Sequence, residues 1–233
     1  MAKSKKKQVY TTEKVIDSLN ETAYKAENFF EKYSKVIVGV FAGLALLAIG
    51  YFVYLKTVIE PKSEKAMIEM IQADEYFQQD SIVLALKGSP GSFQGYEQII
   101  DKYSGTATAN QALYKAGKAY YLLGDYASAV SSFEKFKTKD EILDAQKNGM
   151  IGNALVESGK EKEALSYYVK AAERTNNEMI QNLYYTKAGK LAMYLGENEK
   201  ALTYFQALAD KYPNVNDEVN KYIEKLKYAT SGN

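Results

Sequence analysis

The chain has 233 residues, 30 basic side chains against 29 acidic ones, and no His, Cys or Trp. Those absences exclude the usual zinc ligand sets, Ser-His-Asp and Cys-His nucleophile systems, disulfides, haem thioether attachment and a lipoprotein anchor on Cys. Arg174 is the lone arginine and the net charge is +1, which argues against nucleic-acid binding driven by phosphate contacts.

The chain begins with a short basic tail, Lys3-Ser4-Lys5-Lys6-Lys7, expected to be disordered and to touch anionic lipid. From Thr12 to Tyr33, Val15, Leu19, Ala23, Ala26, Phe30 and Tyr33 recur at three- and four-residue steps. That spacing predicts an amphipathic helix lying on a membrane surface or against a membrane partner.

Val36 to Leu55 are twenty residues without a charge. At 1.5 Å per residue they span roughly 30 Å, the hydrocarbon thickness of a bilayer. Twelve of them are Val, Ile, Leu or Phe, which supply roughly −4 to −7 kcal/mol for insertion. Tyr33, Tyr51 and Tyr54 sit where aromatic belts are found. A soluble core helix is rarely apolar all round over this length, and a cleavable signal has a shorter head and a shorter apolar stretch. An uncleaved transmembrane helix over 36–55 is therefore expected. Eight lysines precede it, and three (Lys56, Lys62 and Lys65) fall in the twenty residues after it. The asymmetry places residues 1–35 in the cytoplasm and the remainder outside it. Gly39 and Gly43 form a GxxxG pattern that would let another membrane helix approach.

Pro61 punctuates the exit, and helical patterning follows over 56–233. A repeat emerges when the chain is laid against itself. Gly117, Gly124, Ala129 and Phe133 form one copy; Gly152, Gly159, Ala164 and Tyr168 the second; Gly189, Gly196, Ala201 and Phe205 the third. The internal steps are +7, +5 and +4 in each copy. Glycine inside a helix costs about 1 kcal/mol against Ala, so the first glycine of each copy marks a close helix–helix approach. The alanine supplies the small facing surface and the aromatic fills the space a turn later. The second glycine lies where the first helix must stop and the chain reverse. Each copy is thus a helical hairpin that needs stacked neighbours.

These residues resemble the tetratricopeptide repeat family, whose nominal period is 34 residues, over Gln111 to Pro213. Repeats of about 110–140, 145–176 and 182–213 are expected, with Lys211-Tyr212-Pro213 as a repeat terminus. The family's aromatic near the start of the first helix is replaced by Leu113, Asn148 and Tyr185. Extra residues should lengthen the loops at Lys137–Asp140 and Arg174–Glu178. Upstream, a degenerate unit over 63–106 would pair a long helix Ser63–Gln79 with a second helix Phe93–Thr106, after Ile82–Leu86 and a turn at Gly88-Ser89-Pro90-Gly91. Residues 217–228 read as a capping helix whose last residues fray. The expected class is all-α: an amphipathic helix, one membrane helix and a tetratricopeptide-like α-solenoid.

The layout of Lys-rich head, single span and repeat domain resembles the YfgM-type ancillary subunits of the bacterial Sec translocon, and Ala116–Tyr126 and Lys137–Leu143 look like single-span repeat proteins of Bacteroidetes-type bacteria. That resemblance implies a single-pass inner-membrane protein facing the periplasm near the translocon, working with a membrane-anchored chaperone. Repeat solenoids of this kind bind segments on a concave face lined by the first helices. Here that stripe runs Gln111, Tyr114, Lys118, Tyr121, then Gln146, Asn153, Val156, then Leu183, Lys190, Met193, Tyr194. Rigid aromatics, Met and amides suit adaptable peptide contact. A carboxylate clamp for chaperone C-termini is not expected, because its full Lys/Asn/Arg set is missing. The 21 tyrosines read as helix-gap fillers, and Asp140-Glu141-Asp144 and Glu161-Glu163 as solvated charge. No phosphate loop, EF-hand spacing or HExxH occurs. The expected protein is not an enzyme and takes no cofactor, metal, nucleic acid or small-molecule substrate. It is a membrane-anchored interaction module for Sec subunits, chaperones or emerging chains. A scaffold for another envelope complex, in outer-membrane assembly or peptidoglycan machinery, is the alternative.

Overall fold

The structure, a computed structural model, describes residues 2–212 and 217–231, without the side chains of residues 2–14, 26, 230 and 231. Pro213 of the expected repeat terminus, and the last two residues, lie outside the described residues. The chain divides into two compact units, Met1–Val58 and Ile59–Asn233.

The first unit holds α1, Ala2–Tyr54. One helix of 53 residues replaces the expected disordered tail, amphipathic helix and separate membrane helix. The Tyr33-Ser34-Lys35 junction contains neither Gly nor Pro, so nothing interrupts propagation once a helix is nucleated. Glu21 and Lys25 pair across one turn at 2.6 Å, and Ser18 and Thr22 return their hydroxyls to carbonyls of the preceding turn. The apolar residues of the 36–55 stretch point outward all round; Leu47 is 72% exposed. Among the described residues, one helical stretch near the N-terminus is long and apolar enough to cross a membrane, and none of its apolar window is buried. A π-helical turn follows at Leu55–Ile59.

The second unit is a run of helices: α2 (Glu60–Gln78), α3 (Ile82–Lys87), α4 (Tyr96–Lys102), α5 (Ala107–Leu122), α6 (Tyr126–Lys135), α7 (Glu141–Glu157), α8 (Glu161–Glu173), α9 (Glu178–Tyr194), α10 (Asn198–Lys211) and α11 (Asp217–Ser231). No strand occurs among the described residues, only an isolated bridge between Ser89 and Phe93. Helices α5/α6, α7/α8 and α9/α10 pair as hairpins, each second helix packs on the next first helix, and α11 closes on α10. The first helices α5, α7 and α9 are also neighbours of one another, which gives the stack a continuous face made of first helices.

Local chemistry sets the boundaries. Thr106, Asp140 and Asn177 cap α5, α7 and α9 by accepting from Ala109, Leu143 and Ile180 N–H groups, satisfying donors that a helix start leaves open. At the other ends Gly124, Gly159 and Gly196 adopt φ of 76°, 72° and 76°. Asp125 N donates to Tyr120 O at 2.9 Å and Gly124 N to Tyr121 O at 3.1 Å, a Schellman pair repeated after α7 and α9.

The same closure ends α2, with Asp80 at φ 58° in the glycine's place: Ser81 N donates to Tyr76 O and Asp80 N to Phe77 O. Register follows from it. Ala73, Ala85 and Tyr96 take the places that Gly117, Ala129 and Phe133 hold in the next hairpin, and all three are buried. The second helix of this unit is therefore α3 plus α4, split by an inserted loop, rather than one helix from Phe93 to Thr106. Gly88, at φ 68°, and Gly95 are pressed so close that a Cβ on either would collide with the other's backbone nitrogen. Gln98 bridges the break. Its side chain accepts from Gly95 N at 2.8 Å and donates to Lys87 O at 2.5 Å.

Candidate interaction face

Each hairpin is closed by an aromatic ring lying on a helical glycine. A Cβ built on Gly117 would fall 2.8 Å from Phe133, one on Gly152 2.7 Å from Tyr168, and one on Gly189 2.5 Å from Phe205. Ala129, Ala164 and Ala201 are fully buried in the same core. The contact then extends to the following unit: Tyr184 stacks on Tyr168 and crowds Gly149, and Tyr222 of α11 stacks on Phe205 at 5.0 Å between centroids. With their apolar surface consumed by this stacking, the hairpins hold the first helices side by side.

On the face of first helices, Gln111, Lys118, Gln146, Leu183, Lys190 and Tyr194 are exposed, while Tyr114, Tyr121, Asn153, Val156 and Met193 are half-buried. Tyr194 is 76% exposed. Val156 and Met193 pack partly into the core, so they offer only an edge to a partner. Lys190 pairs with Glu218 at 2.9 Å, which holds its ammonium pKa up and the carboxylate's down. Lys118 lies 5.7 Å over the Phe77 ring and makes no ion pair among the described residues.

Asn153 is the centre of a small polar knot. Its Oδ1 accepts from the Tyr168 hydroxyl at 2.9 Å and from Lys187 Nζ at 2.7 Å. Burial, with smaller effects from Tyr121, Tyr184 and Glu157, pushes the Tyr168 hydroxyl up to about 12. Burial lowers the Lys187 ammonium, because a desolvated cation favours its neutral form. Tyr114, Tyr121 and Tyr184 have raised hydroxyls, again through burial first, and none of the three hydroxyls makes a hydrogen bond among the described residues.

The spacing-based stripe omits four side chains on the first helices that bear on this face. Ile142 and Met179 extend it one turn N-terminally from Gln146 and Leu183, and Met179 is 81% exposed. Leu122 extends it from Lys118. Continuing the four-residue step by a turn finds these three. Lys187 has no such signal, since its setting depends on Asn153 and Tyr168 from another hairpin.

The reading of Asp144 as solvated charge is corrected. It is buried, paired with Lys147 and, at 2.5 Å, with Arg174 Nε. Arg174 closes the hairpin α7/α8 back onto the carboxylate, so two cations replace its lost hydration. Among the described residues no cluster of three His, Cys, Asp or Glu could hold a metal ion.

The tetratricopeptide repeat family model matches residues 111–140 and 185–214. Among curated proteins the chain is similar to TPR repeat-containing protein MJ1428 of Methanocaldococcus jannaschii, 26% identical over 114 residues, or 49% of this chain. The chain spans only 19% of that relative's length. Among solved structures it is similar to YrrB, described as a TPR protein with an unusual peptide-binding site, with a TM-score of 0.53, 22% identity and coverage of 76% of this chain and 84% of that one. It is also similar to MamA, with a TM-score of 0.52, 20% identity and coverage of 70% and 90%. At these identities the likeness to solved structures is one of fold. Two hairpins carry the repeat match, a third of the same build lies between them, and the second unit has the fold of a tetratricopeptide-like α-solenoid.

Proposed function

We propose that the chain is a membrane-anchored interaction protein whose face of first helices binds polypeptide segments. The observation that carries this is the exposed stripe on α5, α7 and α9, where aromatic, Met, amide and Lys side chains repeat while the other faces close on neighbouring helices. Binding at YrrB's peptide site belongs to that protein; it raises the same question for this stripe. In the proposed organisation residues 1–35 form a cytoplasmic head, 36–55 cross the bilayer, and 56–233 face the periplasm of a bacterial inner membrane. The outward-pointing apolar stretch supports the span, and the lysine asymmetry supports its direction.

Placement beside the Sec translocon, with translocon subunits, a periplasmic chaperone or emerging exported chains as partners, rests on the resemblance of layout. A scaffold role in another envelope complex is favoured by the same stripe and differs only in its partners. Gly39, Gly43 and Gly50 fall within roughly 40° of one another around α1, with open space where each Cβ would be; we assign that edge to packing against another membrane helix.

Three measurements test these assignments. The chain should resist extraction by alkaline carbonate, and a Lys227→Cys thiol should react with an impermeant reagent in spheroplasts; release by carbonate, or a shielded thiol, refutes the topology. Purification in mild detergent should recover translocon or chaperone subunits. Recovery of a different envelope complex instead would establish the scaffold reading.

A further inference from the structure

The lysines of the inner face differ in how their charge is met. Lys115 pairs with Asp74 at 2.5 Å and Lys190 with Glu218 at 2.9 Å. Lys187 is half-buried and meets only neutral groups: Asn153 Oδ1 at 2.7 Å and the face of Tyr168 at 5.4 Å. Among the described residues it makes no ion pair. An ammonium carries three N–H donors; one is used on Asn153, whose oxygen is already shared with the Tyr168 hydroxyl. The aromatic neighbours here are Tyr168, inside the hairpin α7/α8, and Tyr184, which stacks on it at 6.5 Å. Among the described residues, the exposed Glu157 is the carboxylate that bears on the Tyr121 and Tyr168 hydroxyls.

We propose that Lys187 is the seat for a side-chain carboxylate of the bound segment, so that the groove selects acidic segments at this point. The inference rests on the proposal that the face of first helices is a binding surface. A carboxylate can accept the spare Lys187 N–H bonds and supply the missing counter-charge. A neutral side chain in the same place covers the ammonium further without compensating it, and a basic one adds repulsion. Discrimination therefore arises as much from rejection of the wrong segment as from attraction of the right one. Asp74 and Glu218 satisfy Lys115 and Lys190 from within the chain, leaving Lys187 and the more exposed Lys118 to be met from outside.

The test uses the full chain in mild detergent on an array of twelve-residue peptides, capped at both ends so that no terminal carboxylate is present. The peptides form matched pairs, with Asp and Glu in one member and Asn and Gln in the other. The wild-type chain should retain acidic members roughly tenfold over their amide partners. Lys187→Met should bring that ratio near one, weakening the acidic members and relieving the penalty on the amide members. Lys118→Met removes a more exposed cation from the same face and should preserve most of the ratio. A ratio unchanged in Lys187→Met, or lost equally in Lys118→Met, overturns the seat in favour of no selection there or of diffuse charge attraction. Equal retention of both members by the wild-type chain also overturns it but leaves the binding face standing. If no peptide is held better by the wild-type chain than by a Tyr121→Ser/Tyr194→Ser double variant, the binding face itself is refuted. A single cooperative thermal unfolding transition in each variant excludes misfolding as the cause.

Discussion

The ring of Phe205 lies so close over Gly189 that a Cβ at that glycine would fall 2.5 Å from Phe205 Cζ. Helix propensity alone favours Ala over Gly by about 1 kcal/mol, so propensity and packing oppose each other at one atom. A rigid, fully buried ring has no room to retreat, and packing wins. Gly189→Ala should destabilise the solenoid by about 1–3 kcal/mol, with Gly117→Ala milder because its contact is longer. Denaturant unfolding measures this. Combining Gly189→Ala with Phe205→Leu should recover part of the loss, which a double-mutant cycle reads as coupling; a stabilised Gly189→Ala chain would refute the close-approach account.

At the end of α2 the opposite substitution should help. Asp80 occupies the left-handed conformation that Gly124, Gly159 and Gly196 adopt at the equivalent closures. Glycine takes that conformation without the Cβ clash an L-residue carries. Asp80→Gly should raise stability by about 0.5–1 kcal/mol, and Gly124→Ala should lower it by about 1 kcal/mol. Paired melting curves would show the two shifts in opposite directions.

Gln98 ties the broken helix together through Gly95 N and Lys87 O. Gln98→Ala should cost about 1–2 kcal/mol, and the loss should be local. Amide hydrogen exchange is expected to quicken between Lys87 and Gly95 while α9 and α10 keep their protection. Uniform quickening across the stack would show that α2, α3 and α4 unfold together with the rest.

Acid should weaken the solenoid through carboxylates whose folded pKa values are depressed, Glu69 and Asp144 among them. Burial by itself would raise Glu69, but hydrogen bonds from Tyr103 and Lys102 hold it below its ordinary 4.5. Burial likewise opposes the ion pairs of Asp144, yet Lys147 and Arg174 hold it below 3.8. A depressed carboxylate stabilises the fold fully above its ordinary value and loses that contribution as pH falls through the lower folded value. Stability should therefore decline from about pH 5 downward. Asp144→Asn should flatten part of the decline while lowering stability at pH 7.

At Lys187 the charged form is the disfavoured one. Its folded pKa is depressed by burial, so at neutral pH the charged form is held in the fold at a penalty. Lys187→Met keeps the bulk and removes the charge, and should raise stability by up to about 1 kcal/mol, read by thermal unfolding at pH 7. A loss of stability would mean that the Asn153 contact outweighs the desolvation.

Much of the solenoid is written in short-range spacing. The steps from Gly117 to Gly124, Ala129 and Phe133 recur twice because a hairpin of fixed geometry demands a small residue, a left-handed stop and an aromatic at set intervals. The split second helix was harder to see. Its place in the repeat is masked by an insertion, and the clue lies in the backbone of Asp80, where residue type alone gives no glycine signal. The continuity of α1 is equally hidden, since a change from amphipathic to wholly apolar composition looks like a boundary although nothing in it breaks a helix. On the inner stripe, Gln111, Lys118 and Tyr194 are placed by helical period, while the depth at which Tyr114, Asn153 and Met193 sit depends on the neighbouring hairpins.

By itself the amino-acid order determined what local stereochemistry controls: where helices start on Thr106, Asp140 and Asn177, where they stop on glycine, and which stretch is apolar enough to leave water. Only the tertiary structure decided which charges are met. Asp144 lies among lysines in the first turn of α7, yet Arg174, thirty residues on, returns to pair with it; Lys187 looks like any helical lysine, yet it is half-buried against Asn153 and Tyr168 from the preceding hairpin. Apart from pairs within one helix such as Asp144 and Lys147, hydration and counter-charge belong to surfaces brought together by packing, and spacing along a single helix does not encode them.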